Sequence, residues 1–152
     1  MYQSYPCDYS LPAEWSPQSG IMLTWPHGGT DWKPYLRQIT DTYLELSEII
    51  TRYEQLLIAT PIVESTRRML ASRLSKEQMD RVHLYDIDSN DTWARDHGPI
   101  TLVSKNSHNG LIVPIHLLDF RFNGWGEKFA WQKDNAINLQ LYYQGAFQAA
   151  LE

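Results

Sequence analysis

Asn90-Asp91-Thr92-Trp93-Ala94-Arg95-Asp96-His97-Gly98-Pro99 is the stretch on which the reading of this chain turns. Asp86 and Asp88 lie just before it, so with Asp91 and Asp96 four carboxylates share one short segment. Val82-His83-Leu84-Tyr85 upstream alternates like a strand, and Ile100-Thr101-Leu102-Val103 downstream reads as another. The segment is expected as a loop at a strand end, where α/β sheets tend to hold ligands.

Calcium is the first chemistry to weigh. Asp86, Asp88 and Asn90 alternate as in an EF-hand loop. Asp91 then stands where that loop needs glycine, and His97 where it needs the closing glutamate, so no metal site is read here. A planar cation fits better. A carboxylate takes the rigid fork of a guanidinium with two parallel charge-assisted bonds. An indole covers its flat face by cation–π contact, on the order of 0.5–2 kcal/mol. Trp93 and Asp96, three residues apart, offer one of each. The plainer alternative is a loop tied by Asx turns, with Arg95 paired to Asp91 or Asp96 at the surface.

At this point a family resemblance is visible. Asn90-Asp91-Thr92-Trp93-Ala94-Arg95-Asp96-His97-Gly98-Pro99 resembles the N-D-x-W-x-R-D-x-G-P signature of the agmatine deiminase and bacterial peptidyl-arginine deiminase family. Leu11-Pro12-Ala13-Glu14-Trp15 with Trp25-Pro26 resembles that family's opening. Asp119-Phe120-Arg121-Phe122-Asn123-Gly124-Trp125-Gly126 resembles its D-W-x-F-N-x-W-G loop. Three motifs in order, from about Leu11 to Asp134, make the resemblance specific.

The resemblance implies a pentein fold, a five-unit α/β propeller, of which about two units are expected here, with mixed sheets and packed helices. Residues 1–152 are then expected as the N-terminal portion of one deiminase domain, with 1–19 an extended arm. Asp96 is implied to bind the guanidinium, as the one catalytic-site residue assigned, and Trp93 to cover its face. Asp91 falls with the substrate-binding set, although fixing the loop with Arg95 is its nearer task. Arg121, Asn123 and Trp125 are expected at the pocket rim, Asn123 with the rival task of satisfying turn backbone. No role is assigned to His97. If Arg121 faces the pocket, it favours a substrate carboxylate and repels a distant amine.

The implied reaction is deimination of agmatine, or of peptidyl arginine, with release of ammonia. In the resembled enzymes a late cysteine attacks the guanidinium carbon, and an H-x-D motif and an E-G-G glutamate assist. None of these occurs in this sequence: no histidine is followed two residues on by aspartate, there is no Glu-Gly-Gly, and Cys7 is at the wrong end. The chain alone is therefore expected to be inactive, and to self-associate or pair with a missing C-terminal portion. Alternatives are an amidinotransferase, a non-catalytic cation-binding domain, and a carbohydrate binder built on Trp125. No cofactor is implied.

Composition agrees with a soluble α/β domain. Hydrophobic residues make up 43% and charged residues 20% of 152, enough for a real core. Aromatics reach 12%, with six Trp and nine Tyr, so several are expected to line a groove. The net charge of −5 and the lack of a basic cluster speak against nucleic acid and suit cationic ligands. One cysteine permits no internal disulfide, and no apolar run suggests a membrane span or signal peptide, so a cytoplasmic location is expected.

Patterning predicts strands at 20–25, 55–60, 82–87, 99–103 and 111–120, the last with an edge half near Pro114. A polar turn over 105–110 suggests a hairpin. Helices are predicted from Thr30 or Asp31, as cap, to about Tyr53, from Val63 to Leu74, and again over 134–152. Trp32, Tyr35, Ile39, Tyr43, Leu46, Ile50 and Tyr53 are expected as the core stripe of the first helix, and Arg67, Arg68 and Arg73 as a solvated face of the second.

Overall fold

The computed structural model describes residues 9–105 and 115–152; Cys7, Pro114 and most of the expected polar turn lie outside them. Within the arm, β1 (Tyr9–Ser10) is a short strand. Three apolar runs then form parallel strands. β2 (Gly20–Thr24) stops before Pro26, and a 3-10 turn over Lys33–Tyr35 opens α1 (Leu36–Ile50). β3 (Gln55–Thr60) stops at Pro61, followed by α2 (Val63–Ala71) and α3 (Lys76–Met79). β4 (Val82–Asp86) leads into the acidic loop.

β2, β3 and β4 pair in that order, with Gly20 opposite Gln55 and Leu56 opposite Val82. The central strand is buried on both faces, as a parallel sheet requires. Leu56 and Ile58 pack with Trp25, Leu70 and Leu74 under α1 and α2. On the other side Ala59 packs with Ile87, Ile137 and Leu141. Each Leu or Ile buried this fully contributes about 1.5–3 kcal/mol.

The first helix differs from the predicted stripe. Tyr35, Leu46 and Tyr53 are exposed, and the seam facing the core is Tyr43, Leu44, Ser47 and Ile50. Ser47 is fully buried because its hydroxyl is satisfied by Tyr43 O at 2.7 Å, which lets the helix sit close to the sheet. Arg73 is not simply solvated. It reaches Glu48 Oε2 at 3.2 Å and Glu45 Oε1 at 3.5 Å, tying the end of α2 to α1.

After the acidic loop come α4 (Ala94–His97), β5 (Ile100–Ser104) and β6 (Ile115–Leu118). α5 (Gly124–Glu127) is one left-handed turn, followed by α6 (Gln132–Asn135) and α7 (Ile137–Tyr143). The predicted helix over 134–152 ends early, and its tail becomes β7 (Ala150–Leu151). The second sheet has the order β1-β5-β6-β7, antiparallel except for the β6–β7 pair, so β6 is an interior strand. The architecture is thus mixed α/β with two sheets. Among the described residues no helix is long and apolar enough to cross a membrane.

Candidate functional site

The parallel order of β2 and β4 brings the loops after both strands to one edge of the sheet. Two side-chain bonds bolt them together. Trp32 Nε1 donates to Thr92 Oγ1 at 2.8 Å, and His27 Nε2 meets Ser89 Oγ at 3.1 Å. Neither Thr30 nor Asp31 caps the helix that follows. Thr30 instead donates to His27 O, and Asp31 lines the cleft formed between the loops.

The acidic loop is held from beneath by Asp134. This carboxylate is 2% exposed and accepts the backbone N–H groups of Asn90 at 2.6 Å and Asp91 at 3.1 Å. Lys133 N returns a bond to Asn90 Oδ1 at 2.9 Å, which closes the clasp. Asp91 folds the loop locally: it accepts Thr92 N at 2.8 Å and Trp93 Nε1 at 3.1 Å. Burial raises the pKa of both Asp91 and Asp134, with the donated bonds working against it. Nearby Asp31 adds to the rise at Asp91.

α4 carries Asp96 and is anchored through its neighbour. His97 is 2% exposed, bonds Thr24 Oγ1 through Nε2 at 3.0 Å, and offers its carbonyl to Asn138 Nδ2 at 2.7 Å. Asn138 also donates to Asp119 Oδ1 at 2.8 Å. Burial pushes the His97 pKa down to about 4, with Asp96 pulling weakly upward. His97 therefore supports the acid beside it, a task that its sequence position did not disclose.

The far wall is α5. Gly124, Trp125, Gly126 and Glu127 all have positive φ, at 62°, 56°, 83° and 64°. Left-handed backbone costs a residue with a side chain about 1–2 kcal/mol, so something local must hold Trp125 there. Asn123 does part of this, accepting Gly126 N through Oδ1 at 3.0 Å and Glu127 N through its carbonyl at 2.8 Å. A Cβ at Gly124 would lie 2.6 Å from Phe129 O. The turn delivers Trp125 against Trp93, Phe122 and Phe129, with ring centroids 6.1, 5.1 and 5.8 Å away and planes near perpendicular. Trp125 Nε1 donates to Asp96 Oδ1 at 3.2 Å.

The result is a cleft of about 560 Å³ lined by Gly29, Asp31, Asn90, Asp91, Trp93, Asp96, Trp125, Phe129, Ala130 and Asp134. Four aspartates and three aromatics line it, and no Lys, Arg or His does. Such a lining suits a flat cation: carboxylates for its donors, rings for its faces.

Of the residues expected here, Asp91, Trp93, Asp96 and Trp125 meet in the cleft. Arg121 and Asn123 are not among its lining. The Arg121 guanidinium lies over Trp131, 5.6 Å from the ring centroid, and Asn123 serves the turn. Arg95 does not fix the loop; its exposed side chain approaches only Glu14, at 4.0 Å. Asp31, Asp134 and Phe129 were missed. For Asp31 a signal existed, since it follows a neighbouring strand's end.

A family model described as Porphyromonas-type peptidyl-arginine deiminase matches residues 10–151. A Shewanella baltica protein named as a candidate agmatine deiminase is 28% identical over 91% of this chain and 36% of its own length. Among solved structures, a cysteine-to-serine variant of the C. jejuni agmatine deiminase with substrate bound superposes with a TM-score of 0.78. It is 31% identical, over 95% of this chain and 39% of that one. A candidate arginine deiminase from Porphyromonas gingivalis gives a TM-score of 0.75 at 35% identity, over 95% of this chain and 40% of that one. The chain therefore spans less than half the length of these relatives.

Proposed function

Because the chain belongs to the Porphyromonas-type peptidyl-arginine deiminase family, we propose that it forms the guanidinium-binding part of a hydrolase acting on a C–N bond of a guanidino compound. The observation that carries this reading is the cleft itself, where Asp96, Trp93 and Trp125 share one lining, Asp96 accepts the Trp125 indole N–H, and no Lys, Arg or His lines the wall. Asp96 takes the guanidinium fork edge-on, and Trp93 covers its face.

Agmatine is the favoured substrate, giving N-carbamoylputrescine and ammonia in polyamine synthesis, with peptidyl arginine as the second choice. Four carboxylates favour a ligand whose far end is also positive. Arg121 was the residue expected to welcome a substrate carboxylate, and its engagement with Trp131 supports agmatine over free arginine. In this reading water adds across the guanidinium carbon by way of a thiol nucleophile and a proton carrier. The described residues include no cysteine, and on the family pattern the thiol and its proton carrier would lie elsewhere in a longer protein, a five-unit propeller. The part present binds and orients.

Calorimetry tests the binding step. Agmatine should bind, and Asp96→Asn should weaken it about 30-fold or more, as loss of a desolvated charge partner does. Undiminished affinity in that variant would remove the assignment of Asp96. The chain alone should release no ammonia from agmatine or from peptidyl arginine. Turnover that persists in Cys7→Ser would show that a nucleophile is present after all.

A further inference from the structure

Asp96 sits on a four-residue helix at the cleft surface, and its carboxylate could rotate about a soft terminal torsion. A guanidinium fork needs that carboxylate in one plane, because both of its N–H groups must find an oxygen at once. The one donor to the Asp96 carboxylate among the described residues is the indole N–H of Trp125, at 3.2 Å from Oδ1. An oxygen with two lone pairs can accept this bond and still serve a ligand. The indole is itself packed on by three rings, although Trp125 stays 43% exposed. Phe122, Phe129 and Trp93 meet it edge-to-face, and the left-handed backbone of α5 fixes where its ring starts.

Resting on the guanidinium reading above, we infer that Trp125 is a positioning residue. Its N–H clamps the Asp96 carboxylate in the plane that a guanidinium requires, and α5 keeps its left-handed form to aim that N–H. The clamp sets selectivity as well as affinity. A compact ammonium has rotatable donors and asks for no particular carboxylate plane. Losing the clamp should then cost a guanidinium ligand more than an ammonium of the same length.

Trp125→Phe keeps a ring in place and removes the donor. Titration of agmatine and of 1,5-diaminopentane, which carries an amine at each end, reads the effect. Agmatine affinity should fall about tenfold, the scale of one hydrogen bond to a charged group, and diaminopentane affinity less than about twofold. Equal losses for both ligands, or none, would overturn the clamp and leave Trp125 as mere packing.

A ligand-free measurement stands beside this one. In Asp96→Ala the Trp125 indole N–H proton resonance should move and its exchange with solvent should quicken several-fold. An unmoved resonance defeats the inference whatever the titrations give. Failure of the parent protein to bind agmatine would sink the proposed function, and the indole resonance would still decide whether the clamp exists.

Discussion

His97 stays neutral at a pH where an exposed histidine begins to charge, and this couples the site to acid. Its pKa falls from 6.5 to about 4 through burial. Between those values an unfolded chain binds a proton that the folded chain refuses. The contribution of His97 is therefore complete above pH 6.5 and is lost as the pH drops toward 4, by about 3 kcal/mol in all. Asp91 and Asp134 act in the opposite sense. Burial raises their pKa, so protonation on acidification favours the folded form at those positions. The melting temperature of the parent chain should fall between pH 6.5 and 4, and His97→Gln should flatten that slope; an unchanged slope would place the acid sensitivity elsewhere. At this scale the sequence was readable wherever chemistry forces a residue type. A flat cation calls for an acid and a ring, which singled out Asp96 and Trp93, while Trp125 was placed at the rim by the family resemblance; all three line the cleft. Arg121 was not readable, because its stacking on Trp131 exists only once the loop after β6 has folded. Asp134 gave no local sign of its partners Asn90 and Asp91, which lie far back in the chain.

Elements depend on where each backbone run stops. The helix predicted over 134–152 ends at Tyr143, and Gly145 is the reason. With φ at 75°, it donates to Tyr142 O while Ala146 N reaches back to Leu141 O, the paired bonds of a Schellman close. That glycine was available as a stop signal, and the apolar pattern beyond it belongs to β7. The predicted stripe on α1 held at Tyr43 and Ile50 and missed at Tyr35, Leu46 and Tyr53 for a different reason. Helical spacing names a face, but only the sheet decides which of two adjacent faces turns inward, and buried Ser47 marks the seam. α5 was foreseen as a loop at the pocket rim; its handedness was not, since two glycines permit such a turn without requiring it. Gly124→Ala should lower stability by about 1–3 kcal/mol, because it forces a Cβ against Phe129 O at a positive φ. A lower urea midpoint, together with weakened agmatine binding, is the expected outcome.

At the scale of the molecule, the paired sheets present β2 and β4 at the edges of one and β1 and β7 at the edges of the other. Leu11, Trp15, Tyr53, Phe120 and Tyr143 are each at least 60% exposed, in addition to those open strand edges. Self-association at micromolar concentration is the expected behaviour, read by sedimentation velocity. A single sharp monomer peak would mean that these faces are tolerated in water. A mixed α/β architecture was legible from strand and helix alternation. The division into two sheets was not, because which distant strands pair leaves no record in local spacing.

The clasp at Asp134 has one more consequence, for the order in which the site is assembled. The amides of Asn90 and Asp91 find their acceptor some forty residues downstream, so the acidic loop cannot settle until α6 arrives. The cleft is therefore complete only when both halves of its rim are present and meet. A chain interrupted just before α6 would keep Asp96, Trp93 and Trp125, yet lose the carboxylate that holds the acidic loop and the α7 side chains that cover one face of the parallel sheet.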